Sequence, residues 1–228
     1  MSLPARLLTE FVGTFVFFSA IALAGPAGAF APLAIGAALT AMVYMGGHVS
    51  GAHYNPAVSF GLFLRGVIPV TTMAAYWIVQ LIAGLAAFVF GYAISGHTPG
   101  IHPGAGVNWS AALAAEIVFT LALVLVVLNV AATKQTAGNS FYGLAIGFTV
   151  AAGIFVAGPI SGAAFNPAVG LNATFAGVLF GHGSWSDAWL YVVGPLVGAA
   201  IAAGVHRVQT VGEPVPPEVS ESRASESP

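Results

Sequence analysis

Two copies of Asn-Pro-Ala carry the most specific chemistry in the sequence, at Asn55-Pro56-Ala57 and Asn166-Pro167-Ala168. Asn is a favoured helix N-cap, and Pro a favoured first helical residue because its missing N–H would have had no partner there. Each box therefore starts a helix. A helix start carries roughly half a positive charge. An asparagine that caps through its side-chain oxygen keeps its NH₂ free as a donor. The residues before each box, 51–54 and 162–165, read as non-helical, with carbonyls that can accept hydrogen bonds. Donors at a centre, acceptors to either side and a central potential that opposes cations and protons are the chemistry of a conduit for neutral molecules.

Other groups point less sharply. Glu10 and Glu116 stand inside apolar runs, where a carboxylate is costly and needs partners; the orphan N–H groups of the non-helical segments would supply them. For Glu10, a place at the interface facing lipid headgroups is the alternative. His97, His102 and His182 fall in connections with no ligand spacing, so no metal and no cofactor is expected. His53 is expected to pack or hydrogen-bond within its segment. Ser50 and His53 lie close together, yet nothing assembles a nucleophile with its base, and no enzymatic activity is expected. The absence of Cys removes disulfides and thiol chemistry. With a net charge of −2 and no basic patch, nucleic acid is not a partner.

These groups need elements to hold them. Of 228 residues, 58% are hydrophobic and 5% charged, against about a quarter charged in a soluble domain. Between Phe11 and His206 the charged residues are Arg65, Glu116, Lys134 and Asp187. Six apolar runs, roughly 5–25, 32–49, 70–95, 109–131, 139–157 and 185–207, suit bilayer crossings of about 20 residues. The first outruns a signal-peptide core of about 7–15 residues and is read as a retained span. Two shorter runs, 55–64 and 166–178, reach only about half of a 30 Å core and are read as re-entrant half-helices. The expected fold is an all-α membrane protein with six transmembrane helices and two half-helices. Six spans put both termini on one side. Arg6, Arg65, Lys134 and Arg207 share that side, while the connections near 26–31, 96–108 and 179–184 hold no Lys or Arg, so both termini are expected in the cytoplasm. Residues 208–228, rich in Pro, Ser and Glu, read as a disordered cytoplasmic tail.

The chain repeats itself. GHVSGAHYNPAV at 47–58 and GPISGAAFNPAV at 158–169 share eight of twelve residues at an offset of 111 (166 − 55), and LAIG recurs at 33–36 and 144–147 with the same offset. Repeat 1 covers about 5–95 and repeat 2 about 109–207 of a channel domain spanning 1–207. Three spans per repeat is an odd number, so the repeats are inverted about an axis in the membrane plane. A coupled transporter of inverted-repeat type is the rival reading, and such transporters use intramembrane acids as relays; a purely structural membrane protein is the other.

SGAHYNPAV, SGAAFNPAV, EFVGTF at Glu10 and AEIVFT at Glu116 make the chain similar, over roughly 5–207, to the aquaporin and aquaglyceroporin superfamily, the major intrinsic proteins. The resemblance implies a right-handed bundle in the lipid bilayer of the cell, with one pore per subunit for small neutral permeants, and a homotetramer. It implies that Glu10 and Glu116 hold the re-entrant segments. Gly36 and Gly147, equivalent by the offset, are expected where the second and fifth spans cross, small residues letting backbones approach.

One departure bears on selectivity. Most members of the superfamily carry Arg after the second box, in a narrow constriction; here the residue is Val169, and the other constriction positions fall at Ile35, Ile154 and Ala163. Such a ring offers no charge and no side-chain hydrogen bond. Two readings stay open: a dry constriction that slows water and favours ammonia, hydrogen peroxide, gases and small amides, or a wider aqueous pore. Gly170 stands where the glycerol branch usually has Asp, so glycerol specificity is not favoured.

Overall fold

A computed structural model describes residues 1–181 and 183–212; His182 and residues 213–228 lie outside the described residues, together with the readings that fall on them. Regular structure among the described residues is helical throughout: α1 Leu3–Leu23, α2 Ala31–Ser50, α3 Pro56–Leu64, α4 Val70–Ser95, α5 Trp109–Ala131, α6 Tyr142–Ser161, α7 Pro167–Leu179 and α8 Leu190–Gln209. Short 3₁₀ turns occupy Gly25–Phe30 and Lys134–Thr136. Six of the helices, α1, α2, α4, α5, α6 and α8, are long and apolar enough to cross a membrane. At about 1.5 Å per residue, α3 reaches about 14 Å and α7 about 20 Å, short of a hydrocarbon core of about 30 Å. The fold is that of an all-α membrane protein with six spanning helices and two short ones.

Local chemistry moves some ends away from the hydropathy boundaries. Asn139, placed in the fifth run by composition, stays in the loop: its Nδ2 donates to the carbonyls of Val130 (2.7 Å) and Thr136 (2.6 Å), and its Oδ1 accepts the Phe141 N–H. At its other end α6 continues through Pro159, which sits in the last turn and removes one backbone bond there. The stop comes at Gly162, whose φ of 85° lies in the left-handed region that glycine tolerates. The sixth span starts at Leu190 rather than 185 because the Ser184 hydroxyl accepts the Ser186 N–H (3.2 Å), a local turn that competes with helix. Val208 and Gln209 continue α8 and so do not belong to a disordered tail.

Packing repeats the same arrangement twice. α1 lies against α4 as α5 lies against α8, and α2 and α6 cross between them. Each half-helix also rests on the last long helix of the other repeat, α3 on α8 and α7 on α4. At the central crossing Gly36 meets Gly147 backbone to backbone: a Cβ on Gly36 would stand 2.6 Å from the Gly147 carbonyl oxygen, and one on Gly147 would overlap Thr40 Oγ1. At the end that holds the termini, Arg65 Nε donates to His206 Nδ1 (2.9 Å), and His206 Nε2 lies 2.9 Å from Thr133 Oγ1. This knot joins the end of α3, the end of α8 and the α5–α6 connection. Large apolar side chains such as Ile78, Ile82, Val118, Phe148 and Phe155 face outward, as a lipid solvent requires.

The Gly36–Gly147 crossing generates a stability prediction. Gly147→Val is expected to lower the thermal midpoint in detergent by the equivalent of about 1–3 kcal/mol, the usual cost of overpacking. Gly158→Val, on the same helix where a Cβ would meet nothing within 4 Å, serves as the control and is expected to shift it far less.

Candidate functional site

The two boxes build the same cap. Asn55, with φ −158° and ψ 121°, accepts the Ala57 N–H on Oδ1 (2.8 Å). Asn166, with φ −155° and ψ 113°, accepts the Ala168 N–H (3.0 Å). Neither amide NH₂ is wholly free. Asn55 Nδ2 donates to the Phe165 carbonyl (3.0 Å), and Asn166 Nδ2 donates to the Tyr54 carbonyl (2.9 Å). Each asparagine thus bonds the carbonyl just before the other, and the starts of α3 and α7 meet tip to tip. Since an amide NH₂ has two hydrogens, one per asparagine remains beyond this brace.

The segments leading to the tips fold alike. Ala52 (φ 52°), Tyr54 (48°), Ala163 (55°) and Phe165 (49°) are left-handed without being glycine, a conformation costing about 1–2 kcal/mol per residue. Their partners show what holds them. Ala52 N–H donates to Ser50 Oγ (3.0 Å), His53 N–H to Glu10 Oε1 (2.9 Å) and Tyr54 N–H to Glu10 Oε2 (2.8 Å). In the other repeat Ala163 N–H donates to Ser161 Oγ (3.1 Å), Ala164 N–H to Glu116 Oε1 (3.0 Å) and Phe165 N–H to Glu116 Oε2 (2.7 Å). A trans peptide unit points its C=O opposite its N–H. Three successive carbonyls in each segment, those of Gly51, Ala52 and His53 and those of Gly162, Ala163 and Ala164, are therefore directed away from the serine and the glutamate that take the N–H groups.

Glu10 and Glu116 are both fully buried in the protein, so the interfacial alternative for Glu10 does not describe it. Glu10 accepts four bonds, from Ser50 Oγ, the two N–H groups and Gln80 Nε2 (2.8 Å), which suits the roughly four acceptor sites of a carboxylate. Glu116 accepts three. Sequence reasoning missed a second pair of anchors: Tyr76 donates its hydroxyl to the Ser50 carbonyl (2.7 Å), and Tyr191 does so to the Ser161 carbonyl (2.6 Å). It also missed Gly13 and Gly46, where a Cβ would overlap the ring or hydroxyl of buried Tyr54.

Three cavities follow one another through the meeting point. Toward the end that holds the termini lies an inner vestibule of about 280 Å³, lined in part by Gly51, His53, Thr133, Thr136 and Asn139. At the tips lies a cavity of about 30 Å³, lined among others by Asn55, Asn166, Val58 and Leu39. Beyond it an outer cavity of about 230 Å³ touches all four constriction positions: Ile35 from α2, Ile154 from α6, and Ala163 and Val169 from either side of the second box. His53, Val127 and Ile146 line both the inner and the middle space; Phe17, Val150 and Ala164 line both the middle and the outer. His97 and His102 are exposed. Ser50 donates to Glu10 (2.7 Å), and His53 Nδ1 lies 2.9 Å from Ser59 Oγ.

Residues 2–206 match the sequence model of the major intrinsic protein family. The chain belongs to that family. This major intrinsic protein is 37% identical over 230 residues to the "Probable aquaporin TIP2-2" of Oryza sativa subsp. japonica, covering 94% of this chain and 91% of the relative. It is likewise 37% identical over 207 residues to "Aquaporin NIP1-4" of the same organism, covering 86% and 74%. Its fold is like that of the aquaglyceroporin from Plasmodium falciparum, with a TM-score of 0.77 at 22% identity over 90% of this chain and 96% of that one. It is a multi-pass integral membrane protein and a passive channel for water and small solutes.

The glutamate anchors generate a prediction. Glu10→Ala would orphan the His53 and Tyr54 N–H groups at about 1–3 kcal/mol each, a total of about 2–6 kcal/mol. The expected result is a marked fall in thermal midpoint in detergent and loss of permeability in liposomes. A variant as stable and permeable as the parent would remove the anchoring role.

Proposed function

We propose that neutral molecules pass in file through the three cavities of each chain, meeting the carbonyls of Gly51, Ala52 and His53 on one side and of Gly162, Ala163 and Ala164 on the other. At the centre Asn55 and Asn166 offer their remaining amide hydrogens. The observation that carries this reading is the pair of cross-braced helix starts facing one small cavity that both asparagines line. Two helix starts add their partial positive charges there and oppose cations and protons. Pro56, Ala57, Pro167 and Ala168 set the first turns that bring those starts together.

The outer ring of Ile35, Ile154, Ala163 and Val169 tilts the selection. Water crossing it gives up hydrogen bonds that no side chain returns, so ammonia, hydrogen peroxide, small amides and gases lose less by entering. Glu10 and Glu116 are committed to backbone N–H groups and are poor candidates for a proton relay, which favours passive flow over coupled transport. Ser50 and His53 have other partners than each other, which favours a channel without enzymatic activity. The grouping of Arg6, Arg65, Lys134 and Arg207 favours cytoplasmic termini in the cell membrane. A homotetramer in the bilayer fits the family, and each chain holds a complete set of pore groups.

Stopped-flow measurements on proteoliposomes test the reading. Val169→Arg is expected to raise water permeability and lower ammonia permeability relative to it. An unchanged ratio would count against the apolar ring as selector. Uptake that depends on a proton gradient would favour the coupled transporter.

A further inference from the structure

The outer cavity does not close at the ring. Gly25, Ala31 and Pro99 on its outer side and Phe17, Val150 and Ala164 on its inner side line one continuous space, with Ile35, Ile154, Ala163 and Val169 between them. The division from the middle cavity comes deeper, at Phe17, Val150 and Ala164, which face both. Val150 stands one helical turn along α6 from Ile154, and Ala164 follows Ala163. Phe17 comes from α1, a helix that supplies none of the four ring positions. With Ala163 and Val169 in two places, the ring is built from small walls; Phe17 brings an aromatic ring to the neck below it. That side chain is 5% exposed and set edge-on against Phe18, at 5.4 Å and 72°.

We infer that the size filter in the outer half of the pore is this deeper neck, with Phe17 and Val150 fixing its width. The inference rests on the pore reading above and narrows its list of permeants. Ala164 supplies one carbonyl, directed away from Glu116 because the next N–H, that of Phe165, donates to Glu116 Oε2. The rest of the neck is the Phe17 ring and the methyl groups of Val150 and Ala164. A molecule in it keeps one hydrogen bond, as donor, and must pass the side chains of Phe17 and Val150. The space beyond, about 30 Å³, holds about two molecules of water size at about 10–15 Å³ each. Small O–H and N–H donors of the size of water and ammonia pass; urea and glycerol are held back by width at the neck rather than by the ring.

The experiment uses the full chain in proteoliposomes and compares urea, glycerol and water fluxes. Phe17→Leu and Val150→Ala are expected to raise urea and glycerol flux severalfold relative to water. Ile154→Ala and Ile35→Ala are expected to leave the urea-to-water and glycerol-to-water ratios as in the parent. A ratio raised by the ring variants, alone or together with the neck variants, would overturn the assignment. So would neck variants that fold and leave the ratio unchanged. If Phe17→Leu does not fold, Val150→Ala shortens another of the side chains that line the neck and gives the same readout. Parent liposomes no more permeable to water than empty ones would defeat the pore reading itself, a separate outcome.

Discussion

Two buried carboxylates hold backbone that would otherwise have no place in a membrane. Hydrocarbon offers no hydrogen bonds, so non-helical chain at membrane depth survives only where its polar groups find partners in the protein or face a wet cavity. Glu10 and Glu116 meet half of that demand by gathering consecutive N–H groups, each with a serine taking one more. Planarity of the peptide then turns the matching carbonyls the other way. The carbonyls proposed to line the pore are thus the reverse side of the bonds to the glutamates and serines, and the left-handed residues between them are tolerable because both faces are used.

The sequence revealed this framework unevenly, and the reasons are physical. Helix starts at Asn55 and Asn166 were legible because capping and proline placement are local. The acids were legible because a carboxylate in an apolar run must be explained. The cross-brace between Asn55 and Phe165 was not, since one residue's local pattern does not say which carbonyl across the fold its amide will reach. Tyr76 and Tyr191 escaped because the repeat does not keep one offset: the boxes are 111 apart (166 − 55), the glutamates 106 (116 − 10) and the tyrosines 115 (191 − 76). A single-offset comparison pairs neither tyrosine with the other. The starts of α6 and α8 were misplaced because hydropathy sees apolar composition and not the side-chain bonds of Asn139 or Ser184 that hold those residues in loops.

The repeats agree in architecture and differ in what they put beside it. His53, Ser59 and Gln80 in the first half stand opposite Ala164, Gly170 and Pro195 in the second, by the offsets of their own neighbourhoods. His53 meets Ser59, and Gln80 reaches both Ser59 and Glu10. A histidine side chain therefore stands between the inner and middle cavities, while methyls and a phenyl ring stand between the middle and outer ones. On the proposed route a permeant moves between a partly polar half and an apolar one, although the backbone tracks on both sides are alike.

The seating of α3 against α8, locked by the Arg65–His206 bond, has a consequence for how the chain is made. A ribosome delivers α3 long before α8, and Asn55 before the Phe165 carbonyl it will bond. The first half-helix must wait, incompletely partnered, until nearly the whole polypeptide has entered the lipid. The brace between the two half-helices is thus among the last features to form during synthesis.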